Sequence, residues 1–241
     1  MRIAPATREN AKPFDTVFAI TEAVMGFAPN SMLIMARDPD LLAAFSELSA
    51  LIVIRPGRLD PGLKALIMYM ASRSAGCQYC GAHTANLAAL RDVPTHKIEA
   101  LGQFEQSSEF SEAERAALRF AQAAGQVPNA VGDPEFVELR RHFDEDQILE
   151  MVAALALMGF LNCWNATLAT PLEAGPRNFA ECHLASNGWK IGKHAGIMPL
   201  DPSPPRSSIP MSARLFLWLL RRWRPRPGPS NTIHAGGQQH E

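Results

Sequence analysis

Most of what is missing from this 241-residue chain narrows its function. No large charge of one sign is present. Lys and Arg number 23 against 24 Asp and Glu, a formal net charge of -1, so no global field draws the chain to nucleic acid or to an anionic membrane. No apolar run is long enough to span a bilayer; the longest, Met151 to Leu161, reads as a buried helix. The first residues, Met1 to Glu9, lack the apolar core of an export signal, and the expected compartment is the cytoplasm. Strand alternation and hairpin signals are missing, as is any convincing residue-level repeat. Cysteine is sparse: four residues, Cys77, Cys80, Cys163 and Cys182. In a reducing compartment these are poor candidates for structural disulfides, and a close pair points instead to catalysis, redox sensing or metal binding.

What is present reads as helix. Apolar residues recur at helical spacing from Phe14 to Met25, with Gly26 as a stop. Asn30 is placed to cap a short helix through Met35. Asp38-Pro39 and Asp60-Pro61 are cap-plus-proline starts, and Val53 to Gly57 breaks the helix between them. Ser111 to Glu114 is a capping box, Asp133-Pro134 opens a helix through Phe143, and Asp144 precedes a long apolar stretch to Leu168. The fold class is therefore all-α, a helical bundle over residues 1–200. From 201 to 241 prolines recur at 202, 204, 205, 210, 225, 227 and 229, which predicts a flexible tail. Within it, Arg214 to Arg224 could form an interfacial helix, dock on the domain or a partner subunit, or stay disordered.

The chemistry concentrates in Gly76-Cys77-Gln78-Tyr79-Cys80-Gly81-Ala82-His83-Thr84. On a helix, steps of three turn about 300°, so Cys77, Cys80 and His83 share one stripe. Three readings compete. Two small core residues could fall at this spacing by chance. A zinc site would need His83 and a distant supplement such as Cys182-His183. A redox dithiol needs only a lowered thiol pKa, a partner within bridging reach and a proton-transfer group. Gly76 should end one helix and put Cys77 in the first turn of the next, where the helix dipole favours thiolate.

The motif, following an Asp60-Pro61-started helix, resembles the alkylhydroperoxidase D / carboxymuconolactone decarboxylase superfamily in its thiol-active, peroxidase-related branch. Gly26 to Ser31, Met35 to Pro39 and Phe160 to Thr170 extend the resemblance across about residues 14–198. It implies an all-α fold assembled as a homotrimer or homohexamer, with no metal or organic cofactor. It also implies reduction of hydroperoxides by a cysteine pair that a dithiol protein or small thiol then re-reduces. Cys80 would be the peroxidatic thiol, Cys77 the resolving one and His83 the proton-transfer group. Tyr79, Thr84, Asn162 and Asn165 are possible lining residues, and Cys163 a small core residue. Nucleic acid and a membrane span are not expected. Other readings on the same fold are a non-redox decarboxylase-type enzyme and an inactive helical oligomerisation module. The sequence departs from the superfamily pattern at three points. Ala65 stands where a glutamate is usual, Tyr79 where a histidine is usual, and His83 comes three rather than four residues after the second cysteine. A replacement carboxylate would have to come from elsewhere, with Glu47, Glu150 and Glu173 as candidates.

Overall fold

The computed structural model describes residues 1–197; the tail reading for 201–241 lies outside the described residues. Among the described residues there are helices and no strands, so the all-α expectation holds. The helices are α1 (Arg8–Ala11), α2 (Asp15–Met25), α3 (Asn30–Met35), α4 (Pro39–Ser49), α5 (Pro61–Ser74), α6 (Gln78–Leu90), α7 (Thr95–Glu99), α8 (Glu112–Ala124), α9 (Asp133–Leu139), α10 (Glu145–Leu168) and α11 (Ala174–His183).

The capping chemistry works largely as read. Asp38 accepts the Leu41 amide, Asp60 the Leu63 amide, and Ser111 and Asp144 close capping boxes with Glu114 and Gln147. Three details differ. Asn30 is not a cap: Pro29 holds that position, and the Asn30 side chain donates to the Pro171 carbonyl at 2.9 Å. The helix opened by Asp133 stops at Leu139, short of Phe143, because its last amides close tight turns before Asp144 starts α10. Val53 does not break α4 outright; the chain first continues as a π-helical segment from Ala50 to Ile54.

Helix α5 is the hub. It is buried from Gly62 to Ser72 and packs against α6, α8 and α10. Its approach to α8 is close: a Cβ on Gly125 would lie 2.4 Å from the Ala71 carbonyl oxygen, so only glycine fits. Leu63, Leu66, Ile67, Met68 and Met70 contribute to one large core with α6, α8 and α10, each side chain worth about 1.5–3 kcal/mol of burial. A second core joins the N-terminal segments through Phe18, Met32, Met35, Leu42 and Phe45 to Leu157 of α10.

Helix α10 is longer than its apolar run suggests. Alone among the described residues it is long and apolar enough to cross a membrane by length and composition, yet Ile148, Met151, Ala154, Leu155 and Met158 pack it into the body. Its outer face is also apolar: Leu149, Val152, Ala156, Gly159, Phe160 and Cys163 are exposed. Cys163 is thus a surface residue rather than the core residue expected.

Candidate active site

Gly76 sets the site. Its φ of +71° makes the left-handed turn that ends α5, and Cys77 follows in extended conformation as the N-cap of α6. Cys77 therefore sits one position before the first helical turn in which the sequence placed it. Its Sγ accepts the Cys80 amide at 3.3 Å, the bond a serine would make at this position. Both thiols are free and buried, Cys77 at 1% and Cys80 at 2% exposure.

The two sulfurs are not equivalent. Hydrogen bonds from Cys80, outweighing burial and helped by the charge of Lys193, hold the Cys77 thiol below its usual pKa. Burial, with the neighbouring Cys77 charge, pushes Cys80 well up. Of the two, Cys77 is thus the thiol that gives up its proton more readily. Access runs the other way. Cys80 lines a cavity of about 310 Å³ and Cys77 does not. Tyr79, His83, Thr84 and Asn165 line the same cavity, and Asn165 Nδ2 donates to Cys80 Sγ at 3.5 Å. Asn162 is buried on α10 but is not among the lining residues. Thr84 Oγ1 is engaged in donating to the Cys80 carbonyl at 2.7 Å. The remaining walls are mostly apolar, with Val17, Ile20 and Val24 of α2, Met32, Met68, Leu157 and Met158 among them, and Ser46, Glu47 and Ser49 at the end of α4 add polar side chains.

Glu173 supplies the carboxylate. It precedes α11, and its Oε2 lies 2.6 Å from His83 Nε2. Its Oε1 accepts the Tyr79 hydroxyl at 2.8 Å and the Asn30 amide. Tyr79 is therefore no plain packing aromatic: its ring lies 4.2 Å from that of His83 while its hydroxyl fixes the shared acceptor. Burial and the Glu173 charge raise the Tyr79 pKa far up, so the phenol keeps its proton and donates it to Glu173 while its oxygen accepts the Ser31 amide at 3.4 Å. Of the other candidates, Glu150 is paired with Lys64 away from the thiols, and Glu47 lies at the cavity without a bond to His83. The distant zinc supplement does not converge with the pair: His183 is paired with Glu99 at 2.7 Å, and no three metal-ligating side chains cluster among the described residues.

The arrangement is a buried dithiol at the head of a helix, facing an apolar cavity with a Tyr–Glu–His network beside it. That combination on an all-α frame defines a thiol-bearing helical protein of the alkylhydroperoxidase D-like class. Residues 39–123 match the carboxymuconolactone decarboxylase family. The chain is 36% identical to the crystal structure of the debrominase Bmp8, covering 74% of this chain and 96% of that one with a TM-score of 0.70. A cysteine-to-alanine variant of Bmp8 in complex with 2,3,4-tribromopyrrole is similar at 35% identity, over 75% and 96% of the two chains, with the same TM-score of 0.70. A peroxidase-related protein with an AhpD core from Ralstonia eutropha shares the fold at 20% identity, TM-score 0.65, over 74% of this chain and 94% of that one. YnjA, an uncharacterised Escherichia coli protein, is 30% identical over 115 residues, 48% of this chain and 63% of YnjA; the chain thus spans under two thirds of that relative. This chain belongs to the carboxymuconolactone decarboxylase family.

Proposed function

We propose that this protein is a dithiol reductase of small apolar electrophiles, with organic hydroperoxides as substrates. One observation carries the reading: the thiol that faces the apolar cavity is backed by a second thiol one helical turn away, with His83 lining the same space and Glu173 bonded to it from behind. Cys80 passes its proton to the Cys77 thiolate and attacks the distal peroxide oxygen. The O–O bond breaks, protonated His83 gives its proton to the departing alkoxide, and Cys80 becomes a sulfenic acid. Cys77 then attacks that sulfur, the hydroxyl leaves as water with the Cys77 proton, and a disulfide remains. The substrate gains two electrons and the thiol pair loses them. A dithiol protein or small thiol restores the pair.

A second reading is reductive dehalogenation, favoured by the identity to a debrominase crystallised with a brominated pyrrole. The same cavity suits a halogenated aromatic ring. Cys80 would take the halogen, the ring carbon would keep the bond pair and accept the His83 proton, and Cys77 would expel halide to form the disulfide.

Thiol counting separates these readings. Reduced protein treated with cumene hydroperoxide should lose two of its four thiols. Loss driven only by a bromopyrrole, with bromide released, selects the second reading. An unchanged count with both substrates removes the reductase reading and leaves a non-redox enzyme or an inactive module.

Self-association is part of the proposal. The outward apolar face of α10 is the surface a homotrimer or homohexamer would bury, with Leu149 at 67% and Phe160 at 41% exposure. Sedimentation should give an oligomer for the native chain and a monomer for Phe160→Glu; an unchanged mass would move the interface elsewhere.

A further inference from the structure

Glu173 needs holding, because it stands in a connection rather than in a helix. α10 ends where Ala169 takes a left-handed conformation at φ +50°, and the chain runs through Thr170, Pro171 and Leu172 to Glu173 as the N-cap of α11. The carboxylate is only as well placed as this short stretch. Asn30 fixes its centre through the Pro171 carbonyl. Both flanks are held by one residue. His194 Nδ1 donates to the Thr170 carbonyl at 2.7 Å, and the His194 carbonyl accepts the Leu172 amide at 3.0 Å.

The ring of His194 is 1% exposed and lies 5.7 Å from the ring of Tyr79, whose hydroxyl donates to the same Glu173. A carbonyl oxygen can only accept, so Nδ1 carries the hydrogen and Nε2 carries a lone pair. Nε2 is buried with no partner among the described residues. Burial, with Lys193 nearby, lowers the ring's pKa and keeps it neutral. A residue present only to fill space would not bury an unpaired acceptor when leucine fills the same volume without one. What histidine adds at this position is the Nδ1–H bond to the Glu173 connection.

We propose that His194 is a positioning residue: by gripping Thr170 and Leu172 it sets the Glu173 carboxylate against His83, and so acts on Cys80 without touching substrate. The inference rests on the reductase reading for its effect on chemistry, and on the hydrogen-bond geometry alone for the holding itself.

Asparagine, glutamine and leucine at position 194 test it. Asn can present an amide N–H where Nδ1 stands; Gln reaches instead toward the Nε2 position; Leu fills the space with no donor and no orphaned acceptor. The first readout is the exchange-protected proton NMR signal of the His83–Glu173 hydrogen bond. The second is the rate of disulfide formation with cumene hydroperoxide. His194→Asn should keep the signal and stay close to the native rate. His194→Gln and His194→Leu should lose the signal and slow about 10²-fold, the scale of a catalytic group displaced by about 1 Å. A retained signal in His194→Leu, or a lost one in His194→Asn, overturns the proposal. If the signals follow the expected pattern while all rates stay equal, the holding role stands and the Glu173 step of the reductase reading falls instead.

Discussion

Glu173→Gln is expected to slow substrate-driven disulfide formation by about 10²–10⁴-fold while the protein stays folded, the range for losing a positioned acid–base group. The substitution is close to isosteric. The Gln carbonyl can still accept from the Tyr79 hydroxyl and the Asn30 amide, which now meet Oε1. Its NH2 then points at His83 Nε2, where Oε2 now lies at 2.6 Å. A neutral His83 can accept that bond only by moving its hydrogen to Nδ1. The pairing survives, but the ring carries the wrong tautomer and no carboxylate stabilises its charged form. Glu173→Ala should behave differently: it strands three buried donors or ring nitrogens and should also lose about 1–3 kcal/mol of stability for each buried group left unsatisfied. Single-turnover kinetics beside thermal denaturation separates the two effects. A Gln variant with native kinetics would mean that proton transfer does not pass through this carboxylate.

The largest expected loss of stability follows Lys64→Met. Lys64 and Glu150 form an ion pair with side chains 7% and 17% exposed, and Lys64 also donates to the Ile52 carbonyl at 3.0 Å. Glu150 Oε2 in turn accepts the amides of Arg58 and Leu59, and its carboxylate lies directly over Gly57, where a Cβ would overlap Oε1. The pair therefore anchors the connection between the π-helical segment and α5 onto α10. Removing the cation leaves a largely buried carboxylate with Oε1 unopposed, at a cost of about 3–5 kcal/mol. For a chain of this size that is a Tm lower by about 10 °C. Lys64→Met combined with Glu150→Gln should recover most of the loss, because no charge is stranded and the amide oxygen can keep the Arg58 bond. Denaturation of the single and double variants is the check, and a single-variant loss under about 1 kcal/mol, the range of an exposed pair, would show the site to be effectively solvated.

Local signals in the sequence were legible where the physics is local. Asp38, Asp60, Ser111 and Asp144 cap the helices that follow them because a side-chain oxygen reaches an amide only two or three residues on. Cys77, Cys80 and His83 were visible for the same reason: one helix carries them. The π-helical continuation after α4, whose Ile52 carbonyl accepts from Lys64 of α5, was not legible, because no local residue pattern marks it. Asn30 has the side chain of a good cap, yet its amide and side chain are both turned to the Glu173 connection more than a hundred residues away. Glu173 could be named only as one of three carboxylates, since nothing next to it marks a partner in α6. His194 left no trace at all; a lone histidine in a Gly- and Lys-containing stretch looks like surface until the fold buries it. The exposure of Cys163 was missed because an apolar run cannot say which side of the helix meets the body.

The thiols lie inside the family match and their carboxylate outside it. Cys77, Cys80 and His83 fall within residues 39–123, whereas Asn165, Glu173 and His194 follow it. Excising the matched region would keep the sulfur chemistry and discard the network that faces it. Two proteins could therefore carry the same cysteine motif and differ wholly in how fast, and on what, it acts. Sorting such sequences by the motif alone groups them by electron donor atoms; sorting them by what stands before α11 would group them by proton handling.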